Sequence, residues 1–371
     1  MMKKGTTDLP LHGGKAPRWL FKRMVRLSRG ITELIIEDFG RGEFLRRITD
    51  PHWFQAFSCT IGFDWHSSGT TTTTCGALKQ ALDPVQHGIA IAGGKGKASR
   101  KTPQEIRELE EVFSIKPSNI DDLVHNSKLS AKVDNSCVQD DYQLYHHCFI
   151  ISEESEWGVI QQGMKAEEGY ARRYQWLSRN IDKMIEDPHE GISCDRREKN
   201  VLNMTDGNSR EARDISLDLV NDNPAHLRKY LDESGQTTLT DFSSKKLKMP
   251  SHHSVLDMDI TKRGWKTLER AYQIQPSNYE ELINLEEMGP KKIRALALVS
   301  DLIYGAEVSW QDPVKYSFAH GGKDGTPYPV DKEVYDNTLR ALGGDIIKAK
   351  IPDKDKDYAI KKLNSFLEDE G

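Results

Sequence analysis

The sequence lacks the features that mark several large classes of protein. It has no apolar run long enough to cross a bilayer, and its opening residues, MMKKGTTDLPLHGGKAP, contain no apolar signal core. Its five cysteines are scattered and odd in number, without the close pairs that structural zinc sites use. No glycine-rich segment ends in the Gly-Lys-Ser/Thr of a Walker loop, which argues against a nucleotide-driven motor. We therefore expect a cytoplasmic protein in a reducing compartment.

Length and charge distribution indicate more than one functional part. At 371 residues the chain exceeds the usual size of one hydrophobic core, which predicts two domains and a linker. The net charge is −5, but basic residues are in excess over residues 1–101 and acidic residues over 102–261. Such an asymmetry suggests that a basic face meets an anionic partner. A chance distribution of solvated charge explains it equally well.

Residues 1–200 have the patterns of a mixed α/β domain with a small sheet. Apolar residues recur at helical spacing between Arg18 and Arg47, so helices should open the chain. The segment from His87 to Gly94 reads as a short strand, and TPQEIRELEEVF after it as a helix. Two β-like runs, Tyr142–Ser152 and Trp157–Met164, are separated by EESE and predict a hairpin.

The remaining sequence divides into a polar stretch and a helical part. Residues 201–261 contain NDNP, DESGQTT and SSKK with little sustained periodicity, and we interpret them as a linker. Helical patterns return over 262–371. The predicted fold class is therefore α+β, with an N-terminal mixed α/β domain and a C-terminal all-helical domain.

The stretch LEEMGPKKIRALAL, from Leu285 to Leu298, predicts a tight turn between two helices. The start of the second helix exposes backbone N–H groups and the positive end of the helix dipole, with Lys291 and Lys292 beside them. Such a helix end favours a phosphate group. An ordinary αα-hairpin without a ligand has the same pattern.

This stretch resembles the helix-hairpin-helix element with which DNA repair proteins grip the DNA backbone. Gly289 matches the second glycine of that element, whereas Glu287 replaces the first, and a carboxylate there should repel phosphate. The last third of the chain also resembles base-excision glycosylases that carry this element. The resemblance implies that Lys291 attacks the sugar and that Asp331, in Pro-Val-Asp, supports the chemistry, although the two residues are farther apart than usual.

The linker contains a second recognisable motif, GQTTLTDFSSKK. In a short helical turn, Leu239 and Phe242 would face one side as apolar anchors, with Gln236 as a polar contact. The motif resembles the sliding-clamp-binding peptide of archaeal and eukaryotic replication and repair proteins. Ser243 stands where that peptide usually has a second aromatic residue.

A basic glycine-rich segment, GGKGKASRK, follows the first predicted strand. Its backbone N–H groups and cationic side chains could cradle phosphates, as could those of HGGKAP near the N-terminus. Flexible surface turns remain the alternative. The candidate nucleic-acid contacts are Lys15, Lys95, Lys97, Arg100, Lys101, Gly289, Lys291 and Lys292.

Two segments combine carboxylates with imidazoles. FDWHSSGTTTTT contributes Asp64 and His66, and DNSCVQDDYQLYHH contributes several more. Such groups suit a Mg²⁺ or Mn²⁺ ion that activates water and binds a scissile phosphate, with Asp64, His66 and Asp140 as the candidate ligands. Neighbouring side chains of a strand point to opposite faces, so one member of the His146–His147 pair is a candidate. The candidate catalytic residues are Asp64, His66, Asp134, Asp140, His146, Lys291 and Asp331.

Several segments, among them DPHWFQAFSCTIGFDWHSSGTTTTTCGALK and VIQQGMKAEEGYARRYQWLS, resemble the prokaryotic domain-of-unknown-function family 763 over almost the whole chain. That resemblance implies no activity. From the residues above we expect an enzyme of DNA repair or recombination, a metal-dependent DNA nuclease. The alternatives are a glycosylase or lyase that uses Lys291 and Asp331, and a non-enzymatic DNA-binding adaptor recruited by a sliding clamp.

Overall fold

A computed structural model describes residues 16–63, 68–194, 197–231, 260–314 and 342–368. Within those residues, no helix is both long and apolar enough to cross a membrane. Several predicted residues lie outside the described ranges: Lys15, Asp64, His66, Gln236, Leu239, Phe242 and Asp331.

Helices open the chain, as predicted. Asp50 begins one of them by accepting a hydrogen bond from the Trp53 backbone N–H, with Pro51 in the first turn. These helices pack around buried apolar side chains such as Leu27, Phe44 and Phe57. They are α1 (Arg18–Phe39), α2 (Arg41–Thr49), α3 (Pro51–Thr60), α4 (Gly69–Ala81) and α5 (Pro84–His87).

A five-stranded antiparallel sheet forms the centre of the fold, in the order β1-β3-β4-β5-β6. The predicted hairpin is confirmed, because β3 and β4 pair directly across the EESE turn. A second, two-stranded sheet pairs β2 with β7. The strands are β1 (Ile89–Lys95), β2 (Val138–Gln139), β3 (Gln143–Ser152), β4 (Trp157–Lys165), β5 (Tyr170–Leu177), β6 (Gly191–Ser193) and β7 (Leu202–Asn203).

Alternation along the strands gives the central sheet two buried faces. Its first face carries residues such as Ile150 and Ile160 and packs on the opening helices. Its second face carries Phe149 and Trp176 and packs on the helices that follow β1. Those helices are α6 (Thr102–Arg107), α7 (Leu109–Val112) and α8 (Pro117–Lys132). The segment predicted as one helix after β1 is therefore interrupted, between α6 and α7.

The predicted linker is partly wrong. Two helices, α9 (Arg210–Asn221) and α10 (Pro224–Leu231), form within it. Helix α9 reads as polar because only a narrow side of it, including Ala212 and Leu219, is buried.

The C-terminal helices share cores with the N-terminal part, so the predicted boundary at residue 262 does not coincide with a break in packing. Leu268 and Leu296 lie in the same apolar cluster as Leu123 and Trp176 of the second face. Ala359 lies in the cluster of the opening helices. The helices are α11 (Lys262–Ile274), α12 (Tyr279–Asn284), α13 (Pro290–Tyr304) and α14 (Asp353–Glu368).

Candidate functional site

A pocket of about 200 Å³ lies where the chain leaves β1. One wall is the 3-10 helix Gly96–Lys101, which we call the basic turn, together with the start of α6. The other wall is α8, and the first half of β3 forms the floor. Arg100 and Lys128 bring positive charge to the lining, so the pocket suits an anionic group.

A serine and a histidine meet at this pocket. The Ser127 hydroxyl on α8 lies 2.8 Å from Nε2 of His147 on β3, and both residues line the pocket although they are buried. His147 Nδ1 lies 2.9 Å from Oε1 of Gln161 on β4. The amide oxygen of Gln161 can only accept, which places the imidazole proton on Nδ1. His147 Nε2 is then the acceptor for the Ser127 O–H, the arrangement of a nucleophile with its base.

A buried chain of hydrogen bonds continues behind the histidine. The Gln161 amide N–H donates to Asp134 Oδ2 at 2.5 Å, which fixes the orientation of the amide. His189 Nε2 lies 2.5 Å from Asp134 Oδ1, and Trp176 Nε1 donates to Oδ2 at 3.1 Å. Asp134 therefore holds three donors, and its link to His147 passes through Gln161.

Burial determines the protonation states of the residues in this hydrogen-bonded chain. It lowers the pKa of His147 to about 4, while the hydrogen bond with Gln161 acts in the opposite direction. The imidazole is consequently neutral near pH 7, as a proton acceptor must be. Burial raises the pKa of Asp134, whereas the charge and hydrogen bond of His189 favour the carboxylate.

On the first face of the sheet, a row of side chains from neighbouring strands is largely polar. The register aligns Lys95, His146, Gln162, Arg173 and Ser193 on successive strands. All but Lys95 are buried. Burying so many polar side chains in a core is costly unless they have partners. This row is the second buried polar group on β3, after the one that contains His147.

The polar row is attached to the helices above it through Arg173. Its Nε donates to Thr71 Oγ1 of α4 and its Nη2 to Gln55 Oε1 of α3, both at 3.0 Å. The guanidinium also lies over the Phe54 ring, 4.3 Å from its centroid. These contacts fix α4, and with it Cys75 one turn after Thr71, against the sheet.

Cys75 meets two residues of β3 beside this row. One ligand-type atom each from Cys75, His146 and Cys148 lies within 4.8 Å of the others, and the three residues are buried. This group contains two thiols, whereas the predicted ligands Asp64, His66 and Asp140 contain two carboxylates. Thiolates suit zinc better than magnesium. The two histidines of β3 thus serve different faces of the sheet, His146 the first and His147 the second.

Of the predicted metal ligands Asp64, His66 and Asp140, the structure describes Asp140, whose carboxylate is engaged by other groups of the chain. Its Oδ2 accepts hydrogen bonds from Arg172 at 2.9 Å and Tyr174 at 2.6 Å, and its Oδ1 accepts one from the Tyr142 backbone at 3.0 Å. Burial raises the pKa of Asp140 to about 6, against the effect of Arg172. Oδ2 is engaged by an ion pair and a hydroxyl and Oδ1 by a backbone N–H, which argues against the predicted role of Asp140 as a metal ligand.

The basic turn presents its cations outward. The side chains of Lys95, Lys97, Arg100 and Lys101 are all exposed. Lys95 lies over the ring of Tyr145, 5.6 Å from its centroid, at the β-bulge where β3 changes register. Of the four predicted phosphate contacts in this segment, Arg100 lines the pocket.

The predicted turn between two helices is also present, between α12 and α13. Gly289 caps α13, and its carbonyl accepts from the N–H groups of Lys292 and Ile293. Lys291 is exposed, and Lys292 is partly exposed beside it. This short turn from Leu285 to Gly289 with the first turn of α13 is called the hairpin end below.

Glu287, which was expected to repel phosphate, is held by a cation of α11. Its carboxylate forms an ion pair with Arg263, and this hydrogen-bonded pair lowers the pKa of Glu287. Its backbone adopts a left-handed conformation with φ of 63°. The carboxylate is thereby turned towards Arg263, so part of its negative charge is balanced locally.

Helix α8 connects the hairpin end to the pocket. Lys132 Nζ donates to the carbonyl oxygens of Leu285 and Met288, each at 2.9 Å. Lys128, one helical turn earlier and about 6 Å along the axis, lines the pocket. Consecutive turns of α8 therefore contact the hairpin end and line the pocket.

No motif in the sequence pointed to Ser127, Gln161 or Cys75. Ser127 lies inside an amphipathic helix with no neighbouring motif, and its partner comes from a strand. A partial signal existed for the cysteine group, because His146 and Cys148 are two residues apart on a predicted strand and so share a face. Cys75 belongs to a distant helix, and only the packing of α4 on the sheet brings it there.

The fold and the site define an α+β protein with a serine–histidine pair at a basic pocket and a hairpin end held on the same helix. The chain belongs to the family described as "Protein of unknown function (DUF763)", whose model matches residues 5–330. No curated protein and no solved structure matches the chain.

Proposed function

We propose that the protein is a DNA-processing enzyme, a phosphodiester hydrolase that binds the DNA backbone at the hairpin end and cleaves it at the pocket. The observation that carries this proposal is the position of α8. It braces the hairpin end through Lys132 and supplies Ser127 and Lys128 to the pocket. A DNA strand held at the hairpin end thus runs beside the groups that could react with it.

Gly289 supports contact with a backbone ligand. Its φ of −127° and ψ of −179° are extended values that any residue adopts. A Cβ built at this position would have Glu287 O as its nearest neighbour, at 3.9 Å. The internal packing of the described residues therefore does not require a glycine here, whereas close approach of a phosphodiester backbone would.

The serine–histidine pair supplies the chemistry. Ser127 Oγ forms a bond to phosphorus while the bond to the leaving sugar oxygen breaks, and the serine proton passes to His147 Nε2. His147 then gives this proton to the leaving oxygen. Water hydrolyses the phosphoserine by the same route in reverse, which regenerates both residues. Arg100 and Lys128 balance the charge on the phosphate oxygens.

Removing positive charge at the hairpin end or at the basic turn should weaken DNA binding and reduce the dependence of DNA affinity on salt. We expect Lys291→Gln/Lys292→Gln and Lys97→Gln/Arg100→Gln each to lower the slope of log affinity against log salt by about two, because each lost phosphate contact releases about one counterion fewer. Fluorescence anisotropy of labelled DNA at several salt concentrations measures the slope.

The matched control is Lys22→Gln/Lys354→Gln, which removes the same charge from exposed positions on α1 and α14. This control should leave the slope unchanged. If all three variants shift the slope equally, bulk charge rather than the proposed surface holds the DNA, and the proposal fails.

Metal-dependent cleavage is the second candidate reaction. Two of its predicted ligands, Asp64 and His66, lie outside the described residues, so an experiment has to distinguish it from the serine mechanism. Cleavage of plasmid DNA by the wild type and by Ser127→Ala, with and without added metal, distinguishes the two mechanisms. Cleavage that needs added Mg²⁺ or Mn²⁺ and persists in Ser127→Ala would favour the metal-dependent reaction. The glycosylase proposal receives no support from Lys291, which is exposed and so lacks the burial that would activate an amine.

We also propose that a sliding clamp recruits the protein through Gln236, Leu239 and Phe242. The expected affinity for a cognate clamp is roughly micromolar, because two apolar anchors bury little surface. Calorimetry of the full chain should show that Leu239→Ala/Phe242→Ala abolishes this binding, whereas Ser243→Ala preserves it. Equal binding by wild type and the double variant would exclude the motif.

A further inference from the structure

The group on the first face of the sheet has the composition of a transition-metal site. Cys75, His146 and Cys148 bring a thiol, an imidazole and a second thiol within 4.8 Å of one another. Two sulfur donors and one nitrogen donor are a known ligand set for a zinc ion that keeps a fourth position open. Magnesium and calcium, which prefer oxygen ligands, do not suit this set.

A second observation, independent of the cluster itself, concerns the imidazole of His146. The residue is 1% exposed, yet neither ring nitrogen has a hydrogen-bond partner among the described residues. The neighbouring His147 has partners on both nitrogens. Buried imidazoles normally satisfy at least one nitrogen, so His146 is poised to bind something other than the chain.

We propose that Cys75, His146 and Cys148 bind one zinc(II) ion. Both thiols lose their protons to solvent on binding, and two thiolates balance the charge of the ion while the imidazole stays neutral. The loaded site then carries no net formal charge, which makes it compatible with a buried location. The three residues leave one position of a tetrahedral zinc ion for a fourth ligand such as water.

The site has a structural consequence that does not depend on DNA cleavage. The ion joins α4 to β3, whereas the hydrogen bond between Thr71 and Arg173 joins α4 to β5. Zinc should therefore raise the thermal stability of the chain, because it binds the folded arrangement of the three ligands.

Metal analysis of the purified full chain, without a histidine tag, tests this proposal. After zinc loading and dialysis, elemental analysis should find about one zinc per chain. Cobalt(II) in its place should give a thiolate-to-metal charge-transfer band. Cys75→Ser, Cys148→Ser and His146→Gln should each weaken metal binding by at least about 100-fold. Cys59→Ser, which changes another buried cysteine, should leave it intact.

A second measurement covers variants that fail to fold. In the wild-type chain, zinc should slow alkylation of Cys75 and Cys148 but not of Cys137, as followed by peptide mass spectrometry. Equal alkylation with and without zinc would overturn the proposal. So would a Cys75–Cys148 disulfide in the freshly isolated protein, or binding of copper(I) without binding of zinc. None of these outcomes depends on whether the protein cleaves DNA.

Discussion

Exchange of His147 for glutamine should lower the rate of DNA cleavage by about 10² to 10⁴-fold, the usual contribution of a general base. Glutamine retains a polar group between Ser127 and Gln161 but cannot take the serine proton at neutral pH. DNA affinity should be unchanged, since none of the cations at the hairpin end or the basic turn is altered. Single-turnover cleavage and anisotropy, measured on the same DNA, separate these two effects.

Substitution of Ser127, alone and together with His147, tests whether the two residues act as one unit. Ser127→Ala should reduce the rate as much as His147→Gln, and the double variant should be no slower than either single variant. Groups that act as one unit are not additive in this way. Losses that multiply in the double variant would contradict a shared proton transfer. His226→Gln, an exposed histidine paired with Asp222, is the control and should retain full activity.

Variants in a buried hydrogen-bonded chain must be checked for folding. Loss of His147 changes the partner of Gln161, and through Gln161 that of Asp134. Thermal unfolding of His147→Gln should therefore accompany the kinetics. A rate loss in a variant that remains folded and binds DNA with wild-type affinity can be assigned to chemistry.

Much of the architecture near β3 could be predicted because it depends on local patterns. Alternation of apolar residues and the EESE turn were sufficient for the β3–β4 hairpin. The pattern around Gly289-Pro290 likewise predicted the turn before α13. Both features arise from residues close in sequence, where periodicity and turn chemistry carry the information.

The polar contacts of the site depend instead on side chains brought together by packing. Ser127 meets His147 because α8 lies across the second face, and neither residue forms a motif with its own neighbours. The partners of the two carboxylates could not be predicted from the sequence either. Asp134 and Asp140 lie six residues apart in one polar segment but have different partners. Asp134 faces His189, whereas Asp140 faces Arg172.

The strand β5 shows why those partners were missed. Its sequence, YARRYQWL, contains two adjacent arginines and does not read as a buried strand. In the sheet they point to opposite faces, Arg172 towards Asp140 and Arg173 towards Thr71 of α4. An arginine pair is usually taken as exposed charge, because burial is affordable only when every guanidinium finds partners.

Replacing Arg172 by methionine should destabilise the protein by about 3–5 kcal/mol, the largest effect on stability that we expect from a single side chain. Arg172 is fully buried and forms ion pairs with Asp140 at 2.9 Å and Asp312 at 2.8 Å. Its guanidinium also lies over the Tyr142 ring, 4.6 Å from the centroid. Methionine fills much of the volume but leaves two carboxylates buried together without their cation.

The control for this prediction is Arg179→Met. Arg179 pairs with Glu156 at 2.7 Å, a similar distance, but both side chains are partly exposed. Solvent screens such a pair, so its loss should cost less than about 1 kcal/mol. Denaturant unfolding followed by circular dichroism measures both variants under the same conditions. An equal effect of the two substitutions would show that the Arg172 ion pairs contribute no more than a surface pair.

A triple variant, Arg172→Met/Asp140→Asn/Asp312→Asn, identifies the physical cause of the loss. If uncompensated negative charge is responsible, removing both carboxylates should restore part of the stability lost in Arg172→Met. Asp312 accepts a backbone hydrogen bond on each oxygen, from Glu198 and from Val314, whereas asparagine has a single acceptor oxygen and can keep one of the two. If the triple variant is less stable than Arg172→Met, the guanidinium acts mainly through its contacts with Tyr142 and the surrounding chain. The carboxylates would then contribute stabilising hydrogen bonds of their own, through the Tyr174 hydroxyl and the backbone.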